Sequence, residues 1–143
     1  MCDKTPFPQA NDLNKIMLYV YHFEYKTTSN LMNEINVTSP RQLSYYRDAA
    51  IFLGFIANVN GKYRITKKGI NINPSNEFYK EVFIFELLSI PLINNAFKRQ
   101  NELLSILNEE PNFKKLSIST KRRRVSCFES WLKWLNEELK NNE

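Results

Sequence analysis

The sequence is poor in the residues from which most enzyme active sites are built. Its 143 residues include one histidine, two cysteines and three glycines, and aspartate stands only at positions 3, 12 and 48. His22 has no cysteine or carboxylate at ligand spacing, and Cys2 and Cys127 lack the spacing of a zinc site. No glycine-rich phosphate loop occurs, and no pattern joins a serine or cysteine nucleophile to His22. We therefore expect no catalytic residues, no metal site and no cofactor.

Long hydrophobic runs are also missing. The sequence has no run of about 18 apolar residues, and its first residues, MCDKTPFPQAND, lack a hydrophobic signal region. Two cysteines without metal or disulfide spacing are typical of a reduced, intracellular protein. The sequence therefore predicts a cytoplasmic protein without a membrane partner.

What the sequence does contain is aromatic residues and positive charge. Aromatic side chains make up 13% of the chain, and 20 lysines and arginines against 15 acidic residues give a formal net charge of +5. A chain of this length buries about 70% of its unfolded surface, which suffices for a substantial core. The positive excess favours a polyanionic partner.

The clearest local signal runs from Thr38 to Gly69. Thr38 or Ser39 can cap a helix, and Pro40 suits the first helical position. An apolar stripe with a period of 3.6 follows, formed by Leu43, Tyr46, Ala49, Ala50 and Leu53. Gly54 suits the left-handed residue after a helix, and Asn60-Gly61 is typical of a two-residue hairpin turn. The pattern predicts a helix followed by two short strands, and Thr66 and Gly69 end the hairpin.

Two shorter helices are predicted before this segment. Residues 1–10 contain two prolines and are expected to form a flexible extended lead. Asn11 or Asp12 caps a helix whose inner face is formed by Leu13, Ile16, Met17, Val20, Tyr21 and Phe23 or Glu24. Thr27, Thr28 and Ser29 then cap a second helix, in which Leu31, Met32 and Ile35 face inward.

The order helix, helix, helix, hairpin resembles the winged helix-turn-helix superfamily over about residues 11–72. The matching motifs are Leu53-Gly54-Phe55-Ile56 at the end of the third helix and Tyr63-Arg64-Ile65-Thr66-Lys67-Lys68-Gly69 on the returning strand. The resemblance implies a fold in which the third helix enters the major groove of DNA and the hairpin lies beside it.

The region after residue 72 predicts a second helical unit. A helix from Glu77 is apolar all round and is expected to be buried between the two halves. Pro91 breaks it, and a later helix is predicted to have Leu103, Leu104, Ile106 and Leu107 on its inner face. The final helix is predicted to start after Ser117-Ile118-Ser119-Thr120, with basic residues in its first turn and Trp131 and Trp134 in the core.

The two halves show a faint repeat, SPRQLSYYRDAAIFLG beside STKRRRVSCFESWLKWL. Over about residues 12–139 the chain resembles the DNA-recognition modules of prokaryotic restriction enzymes. The matching words are Tyr45-Tyr46-Arg47-Asp48-Ala49-Ala50-Ile51-Phe52-Leu53-Gly54 and Thr120-Lys121-Arg122-Arg123-Arg124. In that group the nuclease is a separate domain, whose acidic metal motif is missing here. A nuclease domain or chain is therefore an implied partner.

These observations predict a mainly α protein with a small β-hairpin, in which a winged helix (11–72) precedes a helix-turn-helix-like unit (73–143). Its function is predicted to be sequence-specific binding of double-stranded DNA, in the cytoplasm at the nucleoid. The candidate DNA-binding residues are Ser39, Arg41, Gln42, Ser44, Tyr45, Arg47, Lys62, Arg64, Lys67, Lys68, Thr120, Lys121, Arg122, Arg123 and Arg124. Arginine can pair with guanine and glutamine with adenine, while lysines neutralise phosphates.

Two alternatives stay open at this point. The first is a transcription regulator that dimerises through residues 77–97, and the second is a winged helix that docks on a protein and has no nucleic-acid role. In the second case the charged residues are ordinary solvated side chains. The sequence leaves the oligomeric state and the DNA target open.

Overall fold

The computed structural model describes residues 10–23, 27–73, 75 and 77–141, and it is mainly helical with one two-stranded antiparallel sheet. The helices are α1 (Leu13–His22), α2 (Thr28–Glu34), α3 (Pro40–Phe52), α4 (Lys67–Ile70), α5 (Tyr79–Leu88), α6 (Pro91–Lys98), α7 (Leu103–Asn108), α8 (Pro111–Lys114) and α9 (Ile118–Asn141), with a 3₁₀ turn at Gln100–Glu102. The strands are β1 (Ile56–Val59) and β2 (Lys62–Ile65). The predicted mainly α class with a small hairpin is confirmed. Within the described ranges, none of the helices has the length and hydrophobicity that a membrane span requires.

The first three helices begin at residues whose side chains satisfy free backbone amides. Asp12 accepts a hydrogen bond from the amide of Asn14 at 2.9 Å, and Thr27 caps α2 in the same way. Ser39 caps α3, with Pro40 at the first helical position. These starts are the predicted ones, because a cap depends only on residues next to it in sequence.

The hairpin forms at the predicted turn. Asn60 and Gly61 have φ values of 55° and 83°, which is the requirement of a type I′ turn. The register pairs Ile56 with Ile65 and continues to Val59 with Lys62. Gly54 has a φ of 86°, so the predicted left-handed residue after α3 is also confirmed.

Thr66 and Gly69 hold α4 against the start of β1 through hydrogen bonds and close packing. The Thr66 hydroxyl accepts a hydrogen bond from the Gly69 amide at 3.0 Å and donates to the Gly54 carbonyl at 2.7 Å. Gly69 is buried, and a methyl group at its Cα would overlap the carbonyl oxygen of Phe55. Glycine is therefore needed at position 69 because any side chain would overlap the neighbouring backbone. The φ of Gly69 is not in the left-handed region, so backbone conformation is not the reason.

One hydrophobic cluster contains buried residues from both predicted units. The fully buried ring of Phe83 on α5 lies 5.5 Å from the ring of Phe55 and 5.7 Å from that of Trp134. Phe52 on α3 meets Phe128 on α9 edge to face, at 6.1 Å between centroids. The boundary near residue 72 stays a prediction, but the side chains on its two sides share a core.

The segment before α1 is held against α9. The carbonyl of Ala10 accepts hydrogen bonds from the Trp131 indole N–H at 2.7 Å and from the Cys127 thiol at 3.3 Å. Burial raises the pKa of Cys127 to about 12, so this thiol stays protonated near neutral pH. Residues 1–9 of the predicted flexible lead lie outside the described residues, whereas Ala10 is buried.

Two predictions of burial were wrong in the second half of the chain. The helix α5 is not buried all round, because Phe85 is 70% exposed and Phe78, just before the helix, is 58% exposed. Leu104, predicted on the inner face of α7, is 54% exposed. The apolar composition of a helix determines how much stability its burial can contribute. The positions of the neighbouring elements determine which side of the helix is buried.

A smaller difference concerns the tyrosines of α1. Tyr21 was predicted to face inward, but it is only half-buried, whereas Tyr19 is 3% exposed. Both tyrosines flank the apolar stripe of α1, and Tyr19 lies on the side that Arg47 and Tyr63 cover. Glu24, the alternative last residue of this face, lies outside the described residues. Which flank of a stripe is buried is again a tertiary property.

Candidate nucleic-acid interface

The exposed start of α3 presents a pair of side chains one helical turn apart. Arg41 is exposed, and its Nε donates a hydrogen bond to the Tyr45 hydroxyl at 2.7 Å. The guanidinium carbon also lies 5.8 Å from the centre of the Tyr45 ring. Residues four apart lie above each other on a helix, so the two side chains share one face. A guanidinium has five N–H donors, and this bond uses one of them.

Three other predicted contact residues at the start of α3 form hydrogen bonds within this end of the helix. Gln42 accepts hydrogen bonds through Oε1 from the amide and hydroxyl of Thr38, at 2.9 and 3.1 Å. The N-cap Ser39 accepts from the amide of Gln42 at 3.2 Å, as in a capping box, although the Gln42 side chain accepts from Thr38 and not from the N-cap residue. The Ser44 hydroxyl donates to the Arg41 carbonyl at 2.6 Å. Paired hydrogen bonds from Gln42 to adenine would therefore require the bonds with Thr38 to break.

Arg47 connects α3 with the hairpin. Its guanidinium lies 3.3 Å from the Asp48 carboxylate and 4.8 Å from the centre of the Tyr63 ring on β2. An arginine stacked on an aromatic ring beside a carboxylate has both its charge and its flat face in use. Arg47, a predicted DNA contact, therefore makes contacts within the protein, to Asp48 and Tyr63.

The basic residues around the hairpin take two different positions. Lys62, Arg64 and Lys67 are exposed. Lys68 is half-buried, and its ammonium group donates to the carbonyl of Leu53 at 3.2 Å and lies 5.2 Å from the Phe55 ring centre. Burial lowers the pKa of Lys68. The lysine thereby satisfies a free carbonyl at the end of α3, where the helix dipole favours a cation.

The final helix begins earlier than predicted. Its first residue is Ile118, and the Ser117 hydroxyl accepts a hydrogen bond from the amide of Thr120 at 3.3 Å. The prediction of a start after Thr120, with basic residues in the first turn, was wrong. The helix begins three residues earlier because the Ser117 hydroxyl caps it. The run from Lys121 to Arg124 lies in the second turn, where the helix dipole acts only weakly on charges.

Four successive residues on a helix point in four directions, about 100° apart, and the basic run of α9 is divided accordingly. Lys121 faces α7 and α8, where its ammonium donates to the Asn108 side chain at 3.3 Å and lies 5.5 Å from the Phe113 ring centre. Lys121 and Arg122 both line a groove between α7 and α9. Arg123 is exposed and donates to the hydroxyl of Thr120 at 3.3 Å.

Arg124 lies on a different side of α9, within electrostatic range of Tyr45 on α3. Its guanidinium is half-buried. Burial lowers the pKa of Arg124, and the neighbouring charge of Arg123 lowers it further. Tyr45 therefore contacts Arg41 on its own helix and has Arg124 of α9 in its neighbourhood. We call this combination of Arg41, Tyr45, Arg123 and Arg124 the basic surface.

A polar cavity beside the basic surface involves residues that sequence reasoning missed. It measures about 260 Å³ and is lined by Asn11, Lys15, Asn36, Gln42, Tyr45 and Tyr46 among others. The ammonium of Lys15 donates to the Asn36 carbonyl at 3.3 Å. The sequence signal was a lone cation on the polar face of α1, which has no meaning until α1 is placed against α3.

A metal site in the part of the chain that the structure describes would require a cluster of metal-binding side chains. No three histidine, cysteine, aspartate or glutamate side chains there come close enough to hold a metal ion. His22 lies 3.4 Å from the carboxylate of Glu34. The basic surface thus offers guanidinium groups and a phenol, which suit the binding of an anion.

The fold and this surface define a small, basic, mainly helical protein in which three helices and a hairpin precede a helical second half. Residues 15–140 match the model of a family described as domain of unknown function DUF7226, and the chain belongs to this family. The match begins within α1 and ends within α9. No curated protein and no solved structure matches the chain.

Proposed function

We propose that the protein binds double-stranded DNA in a sequence-specific manner through a winged helix formed by residues 11–72 and a helix-turn-helix-like second unit. The order α1, α2, α3, β1, β2 is that of a winged helix, and α3 has the size that the major groove accepts. A target-recognition module of a restriction or related DNA-processing system is the role we propose, with any nuclease in a separate domain or chain.

The observation that carries this proposal is the convergence of α3 and α9 at Tyr45. Arg41 and Arg124 come from segments about eighty residues apart in sequence, yet Arg41 donates a hydrogen bond to the Tyr45 hydroxyl and Arg124 lies within electrostatic range of the same residue. Arg123 adds a further charge that repels Arg124. A phosphate backbone would relieve this repulsion.

The hairpin supplies a second group of cations. Lys62 and Arg64 alternate with the half-buried Tyr63 and Ile65, so they share the outer face of the strand. Lys67 is exposed directly after the hairpin, and the sequence has no acidic residue from 49 to 76. In the proposed complex these three side chains neutralise phosphates, while Arg41 reads a base edge.

The proposal is tested by binding to a pool of random duplex DNA over a salt series, with sequencing of the retained DNA. Contact with six to eight phosphates gives a slope of log affinity against log salt of about −5 to −7. We expect such a slope together with one enriched asymmetric motif. A motif with perfect two-fold symmetry would favour the dimeric regulator, and no binding at low salt would favour protein docking.

A pair of substitutions separates base reading from phosphate contact. Arg41→Ala should weaken binding to the enriched motif by about 1 to 3 kcal/mol and relax its sequence, because the bidentate contact to guanine is lost. Lys67→Ala should weaken binding to every duplex alike and reduce the salt slope by about 1. Affinities are measured by fluorescence anisotropy, with the exposed Lys98→Ala on α6 as a control for loss of charge. Equal losses on all sequences for Arg41→Ala would contradict its base-reading role.

A further inference from the structure

Several large apolar side chains of the described residues are exposed, and four of them form two groups. Phe78 and Phe85 belong to α5 and the residue before it, at 58% and 70% exposure. Leu104 on α7 and Ile118 at the start of α9 are 54% and 73% exposed. Grouped apolar exposure of this kind marks an interaction surface more often than isolated apolar residues do.

The first group forms a stripe along α5. Phe78, Glu81, Val82 and Phe85 stand at i, i+3, i+4 and i+7, which places them on one side of a helix. Glu81 is exposed between the two phenylalanines. We call these four residues the α5 stripe, which is apolar with a negative charge at its centre.

The second group lines a groove between α7 and α9. The groove has a volume of about 440 Å³, and its lining includes Leu104, Ile118, Lys121, Arg122, Val125 and Glu129. Three apolar side chains thus lie beside two cations, with one carboxylate further along the helix. Residues 118, 122, 125 and 129 share a face of α9 by their spacing. The groove is therefore apolar with a positive charge at its rim.

We propose that the α5 stripe of one chain docks into the α7–α9 groove of a second copy of this chain. The two surfaces are complementary, because each has three apolar side chains and Glu81 is opposite in charge to Lys121 and Arg122. Both surfaces are exposed within one molecule, so they meet only between molecules. Each chain provides the stripe for the other, so the interface contains the same two contacts in both directions and closes into a two-fold, isologous dimer.

This inference does not depend on the proposed DNA binding. The groove uses the face of α9 that carries Lys121 and Arg122, whereas Arg124 belongs to the basic surface. A chain can therefore self-associate whether or not it binds DNA, and DNA binding measured below about 1 µM chain reports on the single chain. If the proposal holds, Lys121 and Arg122 of the predicted DNA-binding set are protein contacts.

Paired charge reversals test the contact. In the Arg122→Glu variant an acidic groove faces an acidic stripe, and in the Glu81→Arg variant a basic groove faces a basic stripe. Each variant alone should self-associate at least about tenfold more weakly than the wild type. An equimolar mixture of the two should recover association, because every stripe then finds a groove of opposite charge. The exposed Phe85→Ser serves as a second variant that removes apolar contact without changing charge.

The measurement is mass by light scattering during size-exclusion chromatography, over about 1 to 200 µM chain. We expect the wild type and the mixture to approach the mass of two chains, and the three single variants to remain near one. Circular dichroism confirms that each variant is folded. A monomeric wild type across this range, or self-association unchanged in Arg122→Glu and Glu81→Arg, would overturn the proposal. Association of the wild type without recovery in the mixture would also overturn it, since another surface would then be responsible.

Discussion

Phe83→Ala is expected to lower the free energy of unfolding by about 4 kcal/mol, because it removes a fully buried ring and leaves a cavity. The ring of Phe83 lies between those of Phe55 and Trp134, so its loss affects both halves of the chain. Urea denaturation followed by circular dichroism and by tryptophan fluorescence measures the change. The two probes should report one transition in the wild type and in the variant.

Phe85→Ala on the same helix is the matched control. Its side chain is 70% exposed, and the substitution should change the free energy of unfolding by less than about 0.5 kcal/mol. Measurement at low protein concentration keeps self-association out of the comparison. A loss of similar size in both variants would show that the packing of α5 is not the one described. Two separate transitions in the wild type would show that the halves fold independently.

Gly69→Ala is the second substitution with a large expected effect, about 3 kcal/mol of destabilisation. The added methyl group would overlap the Phe55 carbonyl oxygen and lie 2.7 Å from Cγ1 of Ile65. Backbone on one side and a packed strand residue on the other leave no flexible group that could move away. We expect α4 to shift from the hairpin, with a lower midpoint of thermal unfolding.

Gly61→Ala separates this overlap from backbone strain. Gly61 has a φ of 83° and no atom within 4 Å of an added Cβ, so only the left-handed conformation opposes alanine there. That strain costs about 1 to 2 kcal/mol. Gly69 has the reverse combination of an ordinary φ and a crowded Cβ position. A smaller loss for Gly69→Ala than for Gly61→Ala would contradict the close approach of α4 and β1.

From the sequence, the candidate contact residues could be predicted only by residue type and not by their surroundings. The sequence places Arg41 and Tyr45 one turn apart near a helix start, and the structure joins them by a hydrogen bond. It could not show that Arg124 comes within electrostatic range of Tyr45, because about eighty residues separate the two. It also gave no sign that Arg47 is stacked on Tyr63 or that Lys68 caps α3. Side chains of one charge look equivalent in a sequence until their neighbours are known.

Local interactions determined the parts of this protein that sequence reasoning predicted correctly. The caps at Asp12, Thr27 and Ser39, the turn at Asn60-Gly61 and the left-handed Gly54 all depend on residues within a few positions of each other. Their energies are fixed by backbone geometry and by hydrogen bonds to adjacent amides, which the sequence specifies directly.

Only the tertiary structure decided which apolar and basic faces are covered. The stripe on α5 and the groove beside Ile118 are exposed because α5, α7 and α9 are each packed on one side, and nothing in their composition selects that side. The division of residues 121–124 between a groove and the basic surface has the same origin. Burial and charge pairing depend on which distant segments become neighbours, and that is set by the packing of the whole chain.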